Sequence, residues 1–116
     1  MRIVATIRLL TTGEGGYERP PETPGYVGVL RVGDAFVFSR VLTGELLPGV
    51  ECATTWELIA PLNDLTDAQA VDILRGRDPG PIVAAPFAEF VPGQRVLVCD
   101  GFAVVGKGVI NERNAV

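Results

Sequence analysis

The most constraining feature of this sequence is a β-hairpin signature over residues 95–110. Two stretches rich in valine flank Asp100-Gly101, a dipeptide that supplies the positive φ angles of a tight turn. The second stretch carries Gly106 and Gly108 at alternate positions, where a missing side chain lets another backbone or a large neighbour approach. The hairpin predicts the closing part of a small β-sheet domain.

Other segments of the chain also have strand character. They cover residues 3–10, 26–32, 35–42 and 50–59, with a weaker candidate at 87–91. In the first segment Ile3, Ala5, Ile7 and Leu9 share one face, and in the longest Trp56 falls on the predicted core side. We therefore predict a closed antiparallel β-barrel of six or seven strands, all-β in class, in one domain over residues 1–116.

Residues of about 62–94 depart from this pattern and predict a helical insertion. Thr66 and Gln69 have the spacing of a capping box, in which each side chain accepts a hydrogen bond from the other residue's backbone. A short apolar face follows, and Gly76 provides a stop signal. Because a helix of about ten residues needs packing to persist, we expect it at an end or along a side of the barrel.

A long polar loop, residues 14–26, is the leading candidate for an interaction surface. Its candidate contact residues are Glu14, Gly15, Gly16, Tyr17, Arg19 and Tyr26. Long loops in compact domains are usually functional or disordered, and tyrosine and arginine often anchor interfaces. The alternative is a loop folded over one barrel end, with Tyr26 capping the core. The glycines favour turn formation over phosphate binding, because prolines rather than a helix follow them.

Charge bears on the partner. The chain has 10 Lys and Arg against 14 Asp and Glu, a net charge of −4, which argues against a broad basic face and makes protein the expected partner, with no DNA. RNA, tRNA in particular, stays open, because folding can gather cations on one face. The candidate RNA contacts are Arg8, Arg19, Arg95 and Lys107.

Catalytic chemistry has little support in the sequence. The chain has no histidine, which excludes Cys-His and Ser-His-Asp arrangements, and Ser39 has no lysine or carboxylate neighbour. No His or Cys pair has metal-ligand spacing, so we expect no metal and no cofactor. Cys52 and Cys99 are expected to be free, buried thiols. A small enzyme or ligand-binding barrel stays open if a pocket converges on Cys52, Cys99 or Asp100.

Location follows from the same composition. No apolar run is long enough to cross a bilayer, and the N-terminal stretch, interrupted by Arg8, lacks a secretion signal. We expect a cytoplasmic protein with no membrane partner.

Three segments carry a family resemblance. The first contains residues 5–12, Glu14-Gly15-Gly16 and Gly25-Tyr26; the second contains Leu47-Pro48-Gly49 and the strand ending at 58–61; the third is the 95–110 hairpin. Together they resemble the C-terminal β-barrel domain of translation elongation factor Tu, its third domain. The resemblance covers residues 3–61 and 95–110 and implies a barrel whose 14–26 loop lies on the rim, near where that domain meets aminoacyl-tRNA and the nucleotide-binding domain.

The departures from the family limit what is carried over. Tyr17 stands where the family usually has arginine, residues 62–94 have no counterpart, and there is no Gly-x-x-x-x-Gly-Lys-[Ser/Thr] loop for GTP. The leading hypothesis is therefore a non-enzymatic binding module that contacts a macromolecular partner, preferably a protein, through the 14–26 loop; the resemblance implies a role related to translation.

Overall fold

The barrel is closed and antiparallel. A computed structural model describes residues 1–16, 21, 25–82, 87–101 and 103–114, and every structural statement below concerns these residues. Six strands close in the order β1-β4-β3-β2-β5-β6. They are β1 (Arg2–Leu9), β2 (Val27–Val32), β3 (Ala35–Thr43), β4 (Glu51–Pro61), β5 (Arg95–Asp100) and β6 (Ala103–Asn114). With one short helix, α1 (Asp67–Leu74), this confirms the predicted fold class.

Alternating side chains fill the barrel interior. The four β1 residues predicted to share a face are all buried, and Trp56 is fully buried. The Trp56 indole N–H donates to Thr54 Oγ1 at 2.7 Å, and the Thr54 hydroxyl donates to the Ala5 carbonyl oxygen at 2.8 Å. Because these buried polar groups have partners, they do not weaken the apolar core around them.

The two glycines of β6 allow the first and last strands to pair. Gly108 lies opposite Ile7 and Gly106 opposite Leu9 in the β1–β6 ladder. A Cβ atom at Gly108 would collide with the Thr6 carbonyl oxygen, and one at Gly106 would come within 3.0 Å of Leu9 Cδ2. The close approach predicted for these positions is confirmed, and it lies at the seam that closes the barrel.

The two ends of the barrel are closed by different segments. We call the end where β1, β3 and β5 finish the loop end; there Leu46 is buried in the core cluster. We call the opposite end the plugged end, because residues 87–90 cover it. The Phe87 and Phe90 rings meet edge to face with centroids 6.5 Å apart. Arg113 Nη1 donates to the carbonyl oxygens of Phe87 at 2.6 Å and Phe90 at 3.2 Å.

The prediction of a weak strand at 87–91 is wrong. This segment forms a turn, in which the Phe90 N–H donates to the Phe87 carbonyl oxygen at 3.0 Å. Phe87 has a φ of 48°, in the left-handed region that a strand cannot use. Its apolar residues therefore point into the barrel end rather than alternating along a sheet.

The final hairpin and the helix differ in detail from the prediction. Asp100 pairs with Ala103, so the connection is Gly101 and Phe102, one position later than predicted; Gly101 has a φ of 61°, and Phe102 lies outside the described residues. The capping box of α1 is confirmed, with the Gln69 N–H donating to Thr66 Oγ1 at 3.1 Å and the Thr66 N–H to Gln69 Oε1 at 3.0 Å. The helix has 8 residues rather than about ten.

Candidate interaction surface

An ion pair fixes the first part of the 14–26 loop at the loop end. Arg8, on the outer face of β1, donates from Nη1 to Glu14 Oε1 at 2.9 Å and from Nη2 to Glu14 Oε2 at 3.1 Å. The Thr11 N–H donates to Glu14 Oε1 at 3.0 Å. A two-pronged pair of this kind restricts both side chains more than a single contact does. Glu14 therefore ties the start of the loop to the barrel wall.

These contacts favour the ionised form of Glu14. The hydrogen bonds from Arg8 and then from the Thr11 backbone lower the pKa of Glu14 to about 2. The same pairing raises the pKa of Arg8. Both groups lie at the surface, where water and salt weaken their attraction. The pair consequently orients the loop and contributes little to overall stability.

The two glycines after Glu14 have separate structural reasons. Gly15 has a φ of 92°, a conformation that L residues with side chains rarely adopt. At Gly16 a Cβ atom would collide with the Leu10 carbonyl oxygen. The Gly16 N–H donates to the Thr11 carbonyl oxygen at 2.9 Å, which closes the turn. Backbone freedom in a turn, as expected from the sequence, accounts for Gly15, whereas the close approach of Leu10 accounts for Gly16.

The last part of the loop is held by β3 and the core. The Gly25 N–H donates to the Val41 carbonyl oxygen, and the Val41 N–H donates to the Tyr26 carbonyl oxygen, both at 2.9 Å. Tyr26 packs against the core cluster and meets Trp56 edge-on, with ring centroids 6.4 Å apart. Tyr26 thus occupies the core-capping position weighed as the alternative. Tyr17 and Arg19 lie outside the described residues.

Three of the four candidate RNA contacts line one groove. Arg8, Arg95 and Lys107 share a groove of about 380 Å³ on the outer wall with Glu51. Arg8 lies opposite Lys107 on β6 and opposite Glu51 on β4. Arg95 and Lys107 are exposed, whereas Arg8 is already paired with Glu14. The groove is a local basic patch on an acidic protein. Arg19, the fourth candidate, lies outside the described residues.

A further cation extends this patch around the barrel. The ladders place Arg31 opposite Leu97, Leu97 opposite Lys107, and Lys107 opposite Arg8. Arg31 Nε donates to the Gly33 carbonyl oxygen at 2.7 Å, and its guanidinium lies 5.0 Å from the Phe36 ring centroid. Sequence spacing did not indicate Arg31, because it is aligned with Lys107 and Arg8 across strands that are distant along the chain.

The contacts of Glu14 with Arg8 and Thr11 were also not predicted from the sequence, although the sequence contains a signal for the turn. Thr11 and Glu14 have the Thr-x-x-Glu spacing of a capping box, the same spacing that predicted the start of α1. In the structure a 3₁₀ turn, Thr12–Glu14, follows Thr11. The signal fits a short turn as well as a helix, so by itself it does not predict the ion pair.

A second cavity lies between α1 and the barrel wall. It has a volume of about 330 Å³ and is lined by Tyr26, Val27, Gly28, Val29, Phe38, Leu62, Leu74, Cys99, Asp100 and Gly101. Cys99 is a free, buried thiol, but it lies under the helix rather than in the barrel core. Cys52 is also free and only half-buried, so its predicted burial is partly wrong.

Apart from the cavity that contains Cys99 and Asp100, Ser39 and the acidic residues are the remaining candidates for catalysis or metal binding. Ser39 is fully buried, and its hydroxyl donates to the Val37 carbonyl oxygen at 3.2 Å. In the same part of the chain, no group of three or more His, Cys, Asp or Glu residues is placed to hold a metal ion. No helix among the described residues has the length and hydropathy to span a membrane.

Comparison of the sequence with protein-family models and with curated proteins gives no match. The architecture alone assigns the class, a mostly-β protein with a closed six-stranded antiparallel barrel and one short helix.

Proposed function

We propose that this barrel is a non-enzymatic binding module, similar to the third domain of elongation factor Tu, that contacts a protein partner through its 14–26 loop. The observation that carries the proposal is the anchoring of both ends of this loop. Its start is tied by Arg8 and Glu14, and its last residues by Val41 and the packing of Tyr26. Anchored ends reduce the conformational entropy that a loop loses when it binds.

The resemblance adds a reason for the segment Glu14-Gly15-Gly16. These three residues carry part of the similarity, and each has a distinct task in the turn: an ion pair, a left-handed backbone and a close approach to Leu10. Because these three roles together build one particular turn, they support the proposal that this turn has the same local geometry as in the family. Translation is accordingly the process in which we look for the partner, and the cytoplasm the expected location.

Affinity purification of the tagged protein, with identification of bound proteins, tests the proposal. The test variant combines Tyr17→Ala and Arg19→Ala, which removes the two side chains in the loop best suited to anchoring an interface. The control is Glu89→Ala, an exposed change at the plugged end. We expect one stoichiometric partner that the loop variant loses and the control retains. A partner retained equally by both variants contradicts the proposal.

A second measurement tests whether the protein binds GTP, as a GTPase would. Because the sequence has no phosphate-binding loop, calorimetric titration with GTP should give no binding isotherm. Stoichiometric GTP binding would contradict the proposal even if a loop-dependent partner were found.

RNA binding is a second candidate function, favoured by the groove that contains Arg8, Arg95 and Lys107. Cations that neutralise phosphates release counterions, so affinity must fall with salt. With phosphate contacts from Arg95 and Lys107, since Arg8 is already paired with Glu14, the slope of log affinity against log salt should be about −1.4 to −1.8. A filter-binding titration of tRNA at several salt concentrations measures it.

The matched variants for this titration differ only in location. Arg95→Ala with Lys107→Ala should weaken binding and flatten the slope, whereas Arg75→Ala with Arg77→Ala, two exposed positions beyond α1, should leave both unchanged. Binding that is absent, or indifferent to salt, rejects the RNA candidate.

A further inference from the structure

We propose that the cavity between α1 and the barrel wall binds a small amphipathic amine, an apolar chain that ends in a cationic group. Tyr26, the last residue of the 14–26 loop, lines this cavity, whereas Glu14, Gly15 and Gly16 do not. Its volume of about 330 Å³ is within the range in which proteins bind small molecules. The barrel interior does not compete for such a ligand, because the side chains of the core cluster fill it.

The walls of the cavity match an apolar chain. Val29 and Cys99, which belong to the barrel wall, are buried, and Phe38 and Leu62 are half-buried. Leu74, the last residue of α1, is 58% exposed although it lines the cavity. A ligand seated there would cover the exposed leucine and remove apolar surface from water, which is the main source of affinity in such sites.

Charge at the cavity selects the head group. Asp100 is exposed at the end of β5 and is the one charged side chain among the described residues that line the cavity. Cys99 adds no negative charge, since burial raises the pKa of its thiol. Arg31, whose charge acts on that thiol, has its guanidinium directed to Gly33 and Phe36 instead. A cationic head is therefore attracted, and a carboxylate is repelled.

Three probes that share one chain and differ in charge test this selection: n-octylammonium, n-octanol and octanoate. We follow backbone amide shifts of ¹⁵N-labelled protein during each titration. n-Octylammonium should shift Val29, Cys99 and Gly101 most and should bind about two- to fivefold tighter than octanol, the gain typical of an exposed ion pair. Octanoate should bind more weakly than octanol.

Variants separate the charge from the cavity. Asp100→Asn is isosteric and preserves a residue suited to the turn, so the protein should fold, with the preference for octylammonium over octanol reduced to about one. Asp34→Asn, an exposed acid in the turn between β2 and β3, should leave the preference intact. A preference that survives Asp100→Asn overturns the assignment of the head group.

Two results overturn the proposal: chemical shifts scattered over the surface, or equal affinity of the wild type for octanol and octylammonium.

Discussion

The two ends of the barrel differ in what surrounds their apolar closure. At the plugged end two phenylalanine rings, both nearly or fully buried, fill the opening, and Arg113 binds the backbone that carries them. At the loop end the Arg8–Glu14 pair holds a turn on the surface, with 25% and 41% of the two side chains exposed. Both ends bury apolar side chains, since Leu46 and Tyr26 lie in or against the core at the loop end, but the loop end adds a surface turn held by contacts that water and salt can replace.

This difference assigns different roles to the ends. Substitutions in a buried plug alter the whole barrel, since surrounding side chains cannot relax fully into a cavity. Substitutions in an exposed, hydrogen-bonded turn alter its shape and leave the core intact. The loop end is thus the region where the contact surface can vary while the fold persists, in agreement with the proposed function.

Phe90→Ala should show the largest effect. Removing a fully buried ring should lower the free energy of unfolding by about 3–5 kcal/mol, measured by urea denaturation. Val71→Ala, which shortens a side chain that is 40% exposed on α1, is the control and should change it by at most about 0.5 kcal/mol. Equal losses for the two variants would remove the distinction between plug and surface.

Arg113→Gln tests whether the guanidinium secures the plug. Loss of charged hydrogen bonds to the Phe87 and Phe90 carbonyl oxygens should lower the free energy of unfolding by about 1.5–3 kcal/mol. Amide hydrogen exchange should accelerate at Phe90, whose N–H closes the turn. Unchanged exchange at this amide would show that the rings hold themselves in place.

Gly16→Ala tests the geometry of the loop end. A Cβ atom there collides with the Leu10 carbonyl oxygen, so the turn must open, at a cost of about 1–3 kcal/mol. Gly13→Ala is the matched control, because its Cβ atom meets nothing closer than 4.0 Å. Chemical shifts should move in residues 10–16 and stay constant at the plug; a change at Phe90 would couple the two ends.

The pH dependence of Glu14 is expected to be the smallest effect. Its pKa is lowered from 4.5 to about 2, so its stabilising contribution is present above pH 4.5 and is lost as the pH falls to about 2. Melting temperatures of the wild type and Glu14→Gln should therefore differ slightly at pH 6 and converge at pH 2. A difference that grows with acid contradicts the role of the Arg8 pair.

The sequence predicted the elements that depend on local pattern. Alternation correctly predicted Ile3 and Trp56 in the core, and the capping box correctly predicted the start of α1. The two glycines of β6 correctly predicted a close contact between strands. Residues 87–91 were predicted wrongly because apolar residues that fill a barrel end have no periodicity. The groove and the cavity could not be located from local pattern, because they form only when the folded barrel brings Arg95 near Arg8 and α1 near Cys99.

The pairing of β1 with β6 has a consequence for synthesis on the ribosome. Arg2 lies opposite Asn114, so the seam joins the earliest strand to the latest. A nascent chain can complete the ladders among β1, β4, β3 and β2 but leaves one edge of β1 unprotected until β6 has emerged from the exit tunnel. Chaperones that shield unpaired strands therefore have their greatest effect on this barrel before β6 has emerged.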